Sequence, residues 1–326
     1  MLLLTKAIFA IMIGFLGSAV LGLILIPILK RLNLGQRVSV FVGEAHRKKE
    51  GTPTIGGLIF IIPTVLATIA LTITDKIPYT ANLGIVLLVF LGYACIGFLD
   101  DFLSIKRGKN EGLTTYQKLL MQVLIAIGFF YIYMRNGGQT SWVVGTLHID
   151  LEMGWLYGLF ILFVLVGASN AVNLTDGLDG LAGGLSAIAF IAFSLISLVV
   201  GFEDIGIFSL ILVGSLMGYL IYNTHPAKVI MGDTGSLALG ATMGAIAILT
   251  HRELTLLVVA GIFVIETLSV ILQTFWVQVF HKKLFLMTPI HHHFEKLGWE
   301  ETDIVKLFWV GGILLAMAGI IFGVWL

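Results

Sequence analysis

Four short stretches concentrate residue types that handle phosphates and hard cations. FLDDFLSIKRGKN (98–110) sets Asp100 beside Asp101, and AVNLTDGLDGLAGG (171–184) carries Asn173, Thr175, Asp176 and Asp179 among glycines. MGDTGSLALG (231–240) holds Asp233 between glycines, and MTPIHHHFEKLGWEE (287–301) contains His291, His292 and His293 in succession. Carboxylates offer hard oxygen ligands of the kind divalent magnesium takes. Glycines permit close approach of a ligand to the backbone, backbone N–H groups at a helix start attract phosphate, and histidines suit contacts to phosphate or to a substrate.

Each stretch also has a plainer reading. Asp100 and Asp101 are expected to end the third helix. There the macrodipole opposes negative charge, so the pair calls for a cation or for basic partners such as Lys106 and Lys118. Asp176 and Asp179 are three apart and would share a face in a helical turn. A capping role would explain one of them, but not Asn173, Thr175 and the second Asp together. Asp233 could be a simple N-cap. The three histidines could lie on the surface, and consecutive residues cannot all face one side of a helix. Zinc motif spacing is absent, as are the EF-hand pattern and the Walker pattern.

The elements that must position these residues are apolar. Of the 326 residues, 58% are hydrophobic and 12% charged, about half the usual charged share of a soluble domain. The mean hydropathy is +1.02. A membrane-spanning helix needs roughly 20 mostly apolar residues, and ten segments qualify, near 7–29, 55–74, 83–99, 118–134, 155–172, 181–200, 206–222, 237–250, 255–277 and 304–326. The fold class is all-α, a single integral bundle over 1–326. The eighth segment is short and rich in Gly and Ala, so it is expected inside the bundle. The ninth carries Glu266 within its apolar run, with no partner evident from sequence, and no proline marks a bend in it. Segment 135–154 alternates β-branched and polar residues after Gly-Gly, which predicts a small hairpin.

Lys and Arg set orientation. With the first long loop inside, fifteen of the nineteen basic residues fall on the inner side, leaving Lys6, Lys76, Arg135 and Arg252 outside. Both termini are then extracytoplasmic, and all four polar stretches gather on the cytoplasmic face. Ionisable groups near a membrane interior are costly and usually functional. A net charge of zero gives no case for nucleic acid, and the single Cys95 allows no disulfide framework. The first apolar run lacks a basic n-region and is read as a retained helix.

FLDDFLSIK, NAVNLTDGLDGLAGG, MGDTGSLALG and PIHHHFE, in this order and spacing, resemble the bacterial phospho-N-acetylmuramoyl-pentapeptide transferase family, as does HRKKEGTPTIGG (46–57). The resemblance covers essentially the whole chain. The first motifs are shared with a wider superfamily of polyprenyl-phosphate sugar-1-phosphate transferases, whereas PIHHHFE is much more specific.

The resemblance implies a multi-pass enzyme of the bacterial plasma membrane, working in cell-wall peptidoglycan synthesis. It would transfer phospho-MurNAc-pentapeptide from UDP-MurNAc-pentapeptide to undecaprenyl phosphate with Mg2+, giving lipid I and UMP; a homodimer is also implied. By the same resemblance Asp233 is the magnesium ligand, with Asp101 and Asp176 as further candidates. Asp100 is the carboxylate that acts as base toward the lipid phosphate. Asp100, Asp101, Asp233 and His292 form the catalytic set. Asn173 and Asp176 lie at the nucleotide-sugar or metal site, and Gly177, Leu178, Asp179 and Asn223 at the uracil. His291 and His293 contact phosphate or sugar, while Lys49, Thr54 and Asn170 are further substrate-binding candidates. The lipid tail is expected in a groove beside the ninth helix. The rivals are a UDP-GlcNAc:polyprenyl-phosphate sugar-1-phosphate transferase and, from another class, a transporter.

Overall fold

The computed structural model describes residues 2–32, 51–107, 112–144 and 149–325; Lys49 lies outside them. Among these residues the chain forms twelve helices and one two-stranded sheet. In order they are α1 (Leu3–Arg31), α2 (Leu58–Ile73), α3 (Ala81–Arg107), α4 (Thr115–Arg135), β1 (Ser141–Val144), β2 (Ile149–Glu152), α5 (Leu156–Thr175) and α6 (Leu181–Val199). There follow α7 (Glu203–Asn223), α8 (Gly232–Leu249), α9 (Glu253–Val259), α10 (Gly261–Phe280), α11 (Ile290–Lys296) and α12 (Glu301–Trp325).

Nine of these helices are long and apolar enough to cross a bilayer, and α2 is a shorter apolar helix. Together they match the ten expected segments, for a physical reason. In hydrocarbon every backbone polar group needs an internal partner, and a helix supplies one within the segment. The predicted hairpin is present, with β1 antiparallel to β2 and Ser141 opposite Glu152.

Three boundaries differ from expectation in ways that matter for the site. Helix α3 continues past residue 99 to Arg107, so Asp100 and Asp101 lie inside a helix rather than at its end. The opposition by the macrodipole expected there is correspondingly displaced two turns onward, where Lys106 and Arg107 stand. Helix α8 begins at Gly232, which puts Asp233 in its first turn. The ninth segment is two helices, α9 and α10, meeting at Ala260 (φ −91, ψ 21). This break carries no proline, so local sequence does not announce it.

Helix α8 is the axis of the bundle, with every residue from Thr234 to Leu249 buried. Small residues let its neighbours approach, since van der Waals packing rather than apolar burial drives association in lipid. A Cβ on Gly240 would stand 2.2 Å from the Ala168 carbonyl oxygen of α5, and one on Gly97 of α3 2.1 Å from the Asp233 carbonyl oxygen. Helices α1 and α7 close in the same way, with Gly214 against the Ile11 carbonyl. Helix α3 just before Asp100 is therefore held in backbone contact with the start of α8, and α5 before Asn173 with its middle.

Candidate active site

Four helices meet at one end of the bundle. Lys118, in the first turn of α4, donates to Asp233 Oδ2 at 2.8 Å and stands 3.0 Å from Asp100 Oδ1. Asn173, near the end of α5, donates its amide to Asp233 Oδ1 at 2.7 Å and to Ser236 Oγ at 2.9 Å. Asp100 Oδ1 also accepts the Leu113 N–H at 2.7 Å. The result is a chain Asp100–Lys118–Asp233–Asn173 drawn from α3, α4, α8 and α5. Lys118 is placed by the Thr114–Gln117 capping box that starts α4. Sequence reading saw Lys118 only as one basic partner for the Asp pair; its bridge to Asp233, 115 residues away, needs the fold.

Asp101 does a different job from its neighbour. Its oxygens accept the N–H groups of Asp233 (3.1 Å) and Thr234 (3.0 Å) and the Thr234 hydroxyl (2.6 Å). It therefore caps α8 from another helix, supplying acceptors for N–H groups that have no intrahelical partner. The plain N-cap reading of Asp233 does not hold, because α8 has no side-chain cap of its own. Gly232 permits this approach. Its φ is +72, and a Cβ there would come within 2.5 Å of Asp101 Oδ2 and 2.7 Å of Thr54 Oγ1. Thr54, in the segment whose Gly56 and Gly57 N–H groups bond Ile230 and Met231, is thus placed at the same spot.

Asp101→Ala should strip α8 of this cap. A cost of about 1–3 kcal/mol is expected, read as a lower melting temperature in detergent together with at least a tenfold fall in activity. An unchanged Tm with full activity would refute the capping role.

Asp176 and Asp179 do not share a helical face. Asp176 is the C-cap of α5 and Asp179 precedes Gly180, the N-cap of α6 with φ +81. The capping reading fails for both, since α6 has no side-chain cap and its Gly180 N–H bonds Asn223 Oδ1 at 3.1 Å. Asn223 in turn donates to the Val229 carbonyl. Asp179 Oδ2 accepts from Ala227 N–H at 3.0 Å and lies 3.2 Å from His225 Nδ1, while its own N–H donates to Glu301 Oε1 at 2.6 Å. Asp179 and Asn223 thus meet at the α7–α8 connection, whereas Gly177 faces His291. Asn170 is exposed and turns its amide onto the Val166 carbonyl of its own helix at 2.8 Å, apart from the Asp233 cluster.

The histidines diverge, as consecutive helical residues must. His291 is fully buried and meets Glu266 Oε1 at 3.1 Å. His292 pairs with Glu295 at 2.5 Å, and His293 Nδ1 accepts the Leu286 N–H at 3.1 Å. A Cβ on Gly177 would lie 2.3 Å from His291 Nε2, so the triple-histidine helix abuts the NLTDGLDG loop.

The donor set suits a small hard cation. Asp100 and Asp233 offer only carboxylate oxygen, and the Lys118 ammonium between them marks a place built for positive charge. Magnesium is commonly held by one or two carboxylates plus substrate phosphates. Asp179, His225 and Glu301 are, among the described residues, a separate group whose donor atoms lie within 4.8 Å of one another. That group includes an imidazole and none of the expected magnesium ligands Asp233, Asp101 and Asp176; its hydrogen bonds hold the α7–α8 connection to α12.

An apolar groove of about 440 Å³ runs along α5, α9 and α10, lined by residues such as Phe160, Val164, Leu256, Phe263 and Leu268. One edge reaches Val172, next to Asn173. It lies beside the broken ninth segment, where a lipid-tail groove was expected.

The sequence profile described as glycosyl transferase family 4 matches residues 83–251, just over half of the chain. The chain is 46% identical over 319 residues to a phospho-N-acetylmuramoyl-pentapeptide-transferase of Bacillus velezensis, covering 98% of each chain. It is 46% identical over 318 residues to the protein of that name from Bacillus subtilis, again covering 98% of each, and 44% identical over 317 residues to that of Geobacillus thermodenitrificans, covering 97% and 98%. Likeness of this extent, on a polytopic helical frame whose motif residues converge at one end, leaves one conclusion: the chain is a membrane enzyme belonging to the phospho-N-acetylmuramoyl-pentapeptide transferase family of peptidoglycan synthesis.

Proposed function

We propose that this protein joins phospho-MurNAc-pentapeptide, donated by UDP-MurNAc-pentapeptide, to undecaprenyl phosphate, releasing UMP and leaving lipid I, with magnesium held at Asp233. The observation that carries this reading is the Asp100–Lys118–Asp233–Asn173 chain, whose Asn173 follows Val172 at the edge of the apolar groove. The polar end faces the cytoplasm, where the basic residues gather and where a UDP-sugar is available.

An oxygen of the lipid phosphate attacks the phosphorus bonded to the sugar, and the bond from that phosphorus to UMP breaks. One phosphoanhydride replaces another, so no ATP is consumed. The acceptor phosphate has a second pKa near 6, so it is already largely ionised. Catalysis of such transfers is mostly positioning and charge stabilisation. Bound magnesium would screen the two anions and polarise the transferring phosphoryl group. Asp233 and its neighbour Asp100 would hold it. Lys118, freed from between them, would meet the substrate's phosphates, and Asp101 keeps Asp233 in register by capping α8. Gly177, Leu178, Asp179 and Asn223 form the uracil side, with His292 and His293 turned toward the phosphates. Asp100 faces the lipid phosphate as its base, with the magnesium and Lys118 screening the two anions.

A transporter would hold its polar groups near the midplane, whereas Lys118, Asn173 and Asp233 lie in the terminal turns of their helices and Asp100 within about two turns of the end of its own. The purified chain, given undecaprenyl phosphate and each UDP-sugar, tests the substrate. Release of UMP from UDP-MurNAc-pentapeptide is expected, abolished by a chelator and restored by magnesium. A lipid product from UDP-GlcNAc but none from UDP-MurNAc-pentapeptide would overturn the proposal.

A further inference from the structure

Glu266 lies in the middle of an apolar helix and has no part in the chemistry above. Its surroundings are specific. Glu266 and His291 are both 0% exposed, and Nδ1 of the histidine lies 3.1 Å from Glu266 Oε1. A buried carboxylate is retained only with a partner, and here the partner is 25 residues away, on α11.

Two further facts give the pair a mechanical meaning. Among the seven residues of α11 only His291 is buried, and α10 buries only Gly261, Phe263, Glu266 and Ser269. The contact is therefore the polar attachment of the triple-histidine helix to α10. The other ring nitrogen, His291 Nε2, is buried without a hydrogen-bond partner and faces Gly177. Nδ1 and Oε1 share one proton across this contact, and the ring edge bearing Nε2 lies against Gly177 in the loop between Asn173 and Asp179.

We propose that Glu266 is a positioning residue of the transferase, latching the triple-histidine helix to α10 through His291 and so setting the His291 ring against Gly177 of the glycine loop. The role rests on the transferase reading above. Phe263 and Leu268 of the same helix line the apolar groove, so the latch also ties the groove wall to the histidines. An attachment of this kind acts on the alignment of bound substrates rather than on their affinity. A misplacement of about 1 Å can cost about 100-fold in rate.

The experiment uses the full-length protein in detergent, with wild-type turnover measured first so that absence of transferase activity is recognised separately. For Glu266→Ala, kcat is expected to fall at least about 50-fold, with KM for both substrates within about threefold. Glu266→Gln keeps an oxygen acceptor for Nδ1–H and is expected to regain at least about a tenth of wild-type turnover. Glu266→Ala combined with His291→Ala should be no slower than His291→Ala alone, as for residues acting as one unit. Turnover of Glu266→Ala within threefold of wild type overturns the proposal. So does a Gln variant as slow as the Ala variant, or a double variant slower by the product of the single effects. If Glu266→Ala does not fold, the 15N shifts of the His291 ring in the wild-type protein decide. An Nδ1 shift displaced by hydrogen bonding is expected, and the shift of a nitrogen with no hydrogen bond refutes the latch.

Discussion

Asp233→Asn is expected to abolish transfer, by at least about 1,000-fold in kcat/KM, while the bundle stays folded. Asp233 accepts from Lys118 through one oxygen and from Asn173 through the other. The amide would turn an NH2 donor toward one of these donors and remove the charge that faces them. Loss of one preorganised electrostatic group at a reacting centre costs about 100- to 1,000-fold, and loss of a metal ligand adds to this. The fold is held elsewhere, by the buried apolar length of α8 and by the Asp101 cap, which bonds the backbone of residue 233 and not its side chain. Raised magnesium should restore part of the activity. Measured turnover within tenfold of wild type, at ordinary magnesium, would remove Asp233 from the site.

Asp100→Asn is expected to lower kcat at least about 100-fold, with the KM for UDP-MurNAc-pentapeptide changed by less than about threefold. The substituted amide can still accept the Leu113 N–H, so the local backbone keeps its anchor. What disappears is the carboxylate charge and its ion pair with Lys118. A uniform loss of binding would raise KM alone, and a loss confined to the transition state lowers kcat. The pH profile separates two roles for Asp100. Above the second pKa of the lipid phosphate the attacking oxygen is ionised without help. Recovery of the variant to the wild-type rate at high pH would show that the ionised phosphate attacks unaided. A deficit that persists there is expected if Asp100 positions the acceptor.

The sequence alone determined the spans. Ten apolar segments of membrane length predicted ten helices, because hydrocarbon forces backbone hydrogen bonds to close within each segment. The Gly- and Ala-rich eighth segment was legible as the buried one, since small residues are what a crowded helix contact admits. The predicted hairpin rests on local alternation and was legible for the same kind of reason. Spacing alone showed that the three histidines must diverge.

The tertiary structure decided what each carboxylate does. Asp100 and Asp101 are adjacent, yet one faces Lys118 and the other caps a helix 132 residues away. Asp176 and Asp179, three apart, part company because the chain leaves α5 between them rather than continuing the helix. Glu266 had no partner in sequence and has His291 in space. The break at Ala260 and the bridge by Lys118 were equally silent in the sequence. Helix formation and apolar burial are set by the residues of each segment and the solvent around it. Pairing between polar groups depends on which helix ends are brought within 3 Å, and the close backbone contacts at Gly97 and Gly240 set that distance.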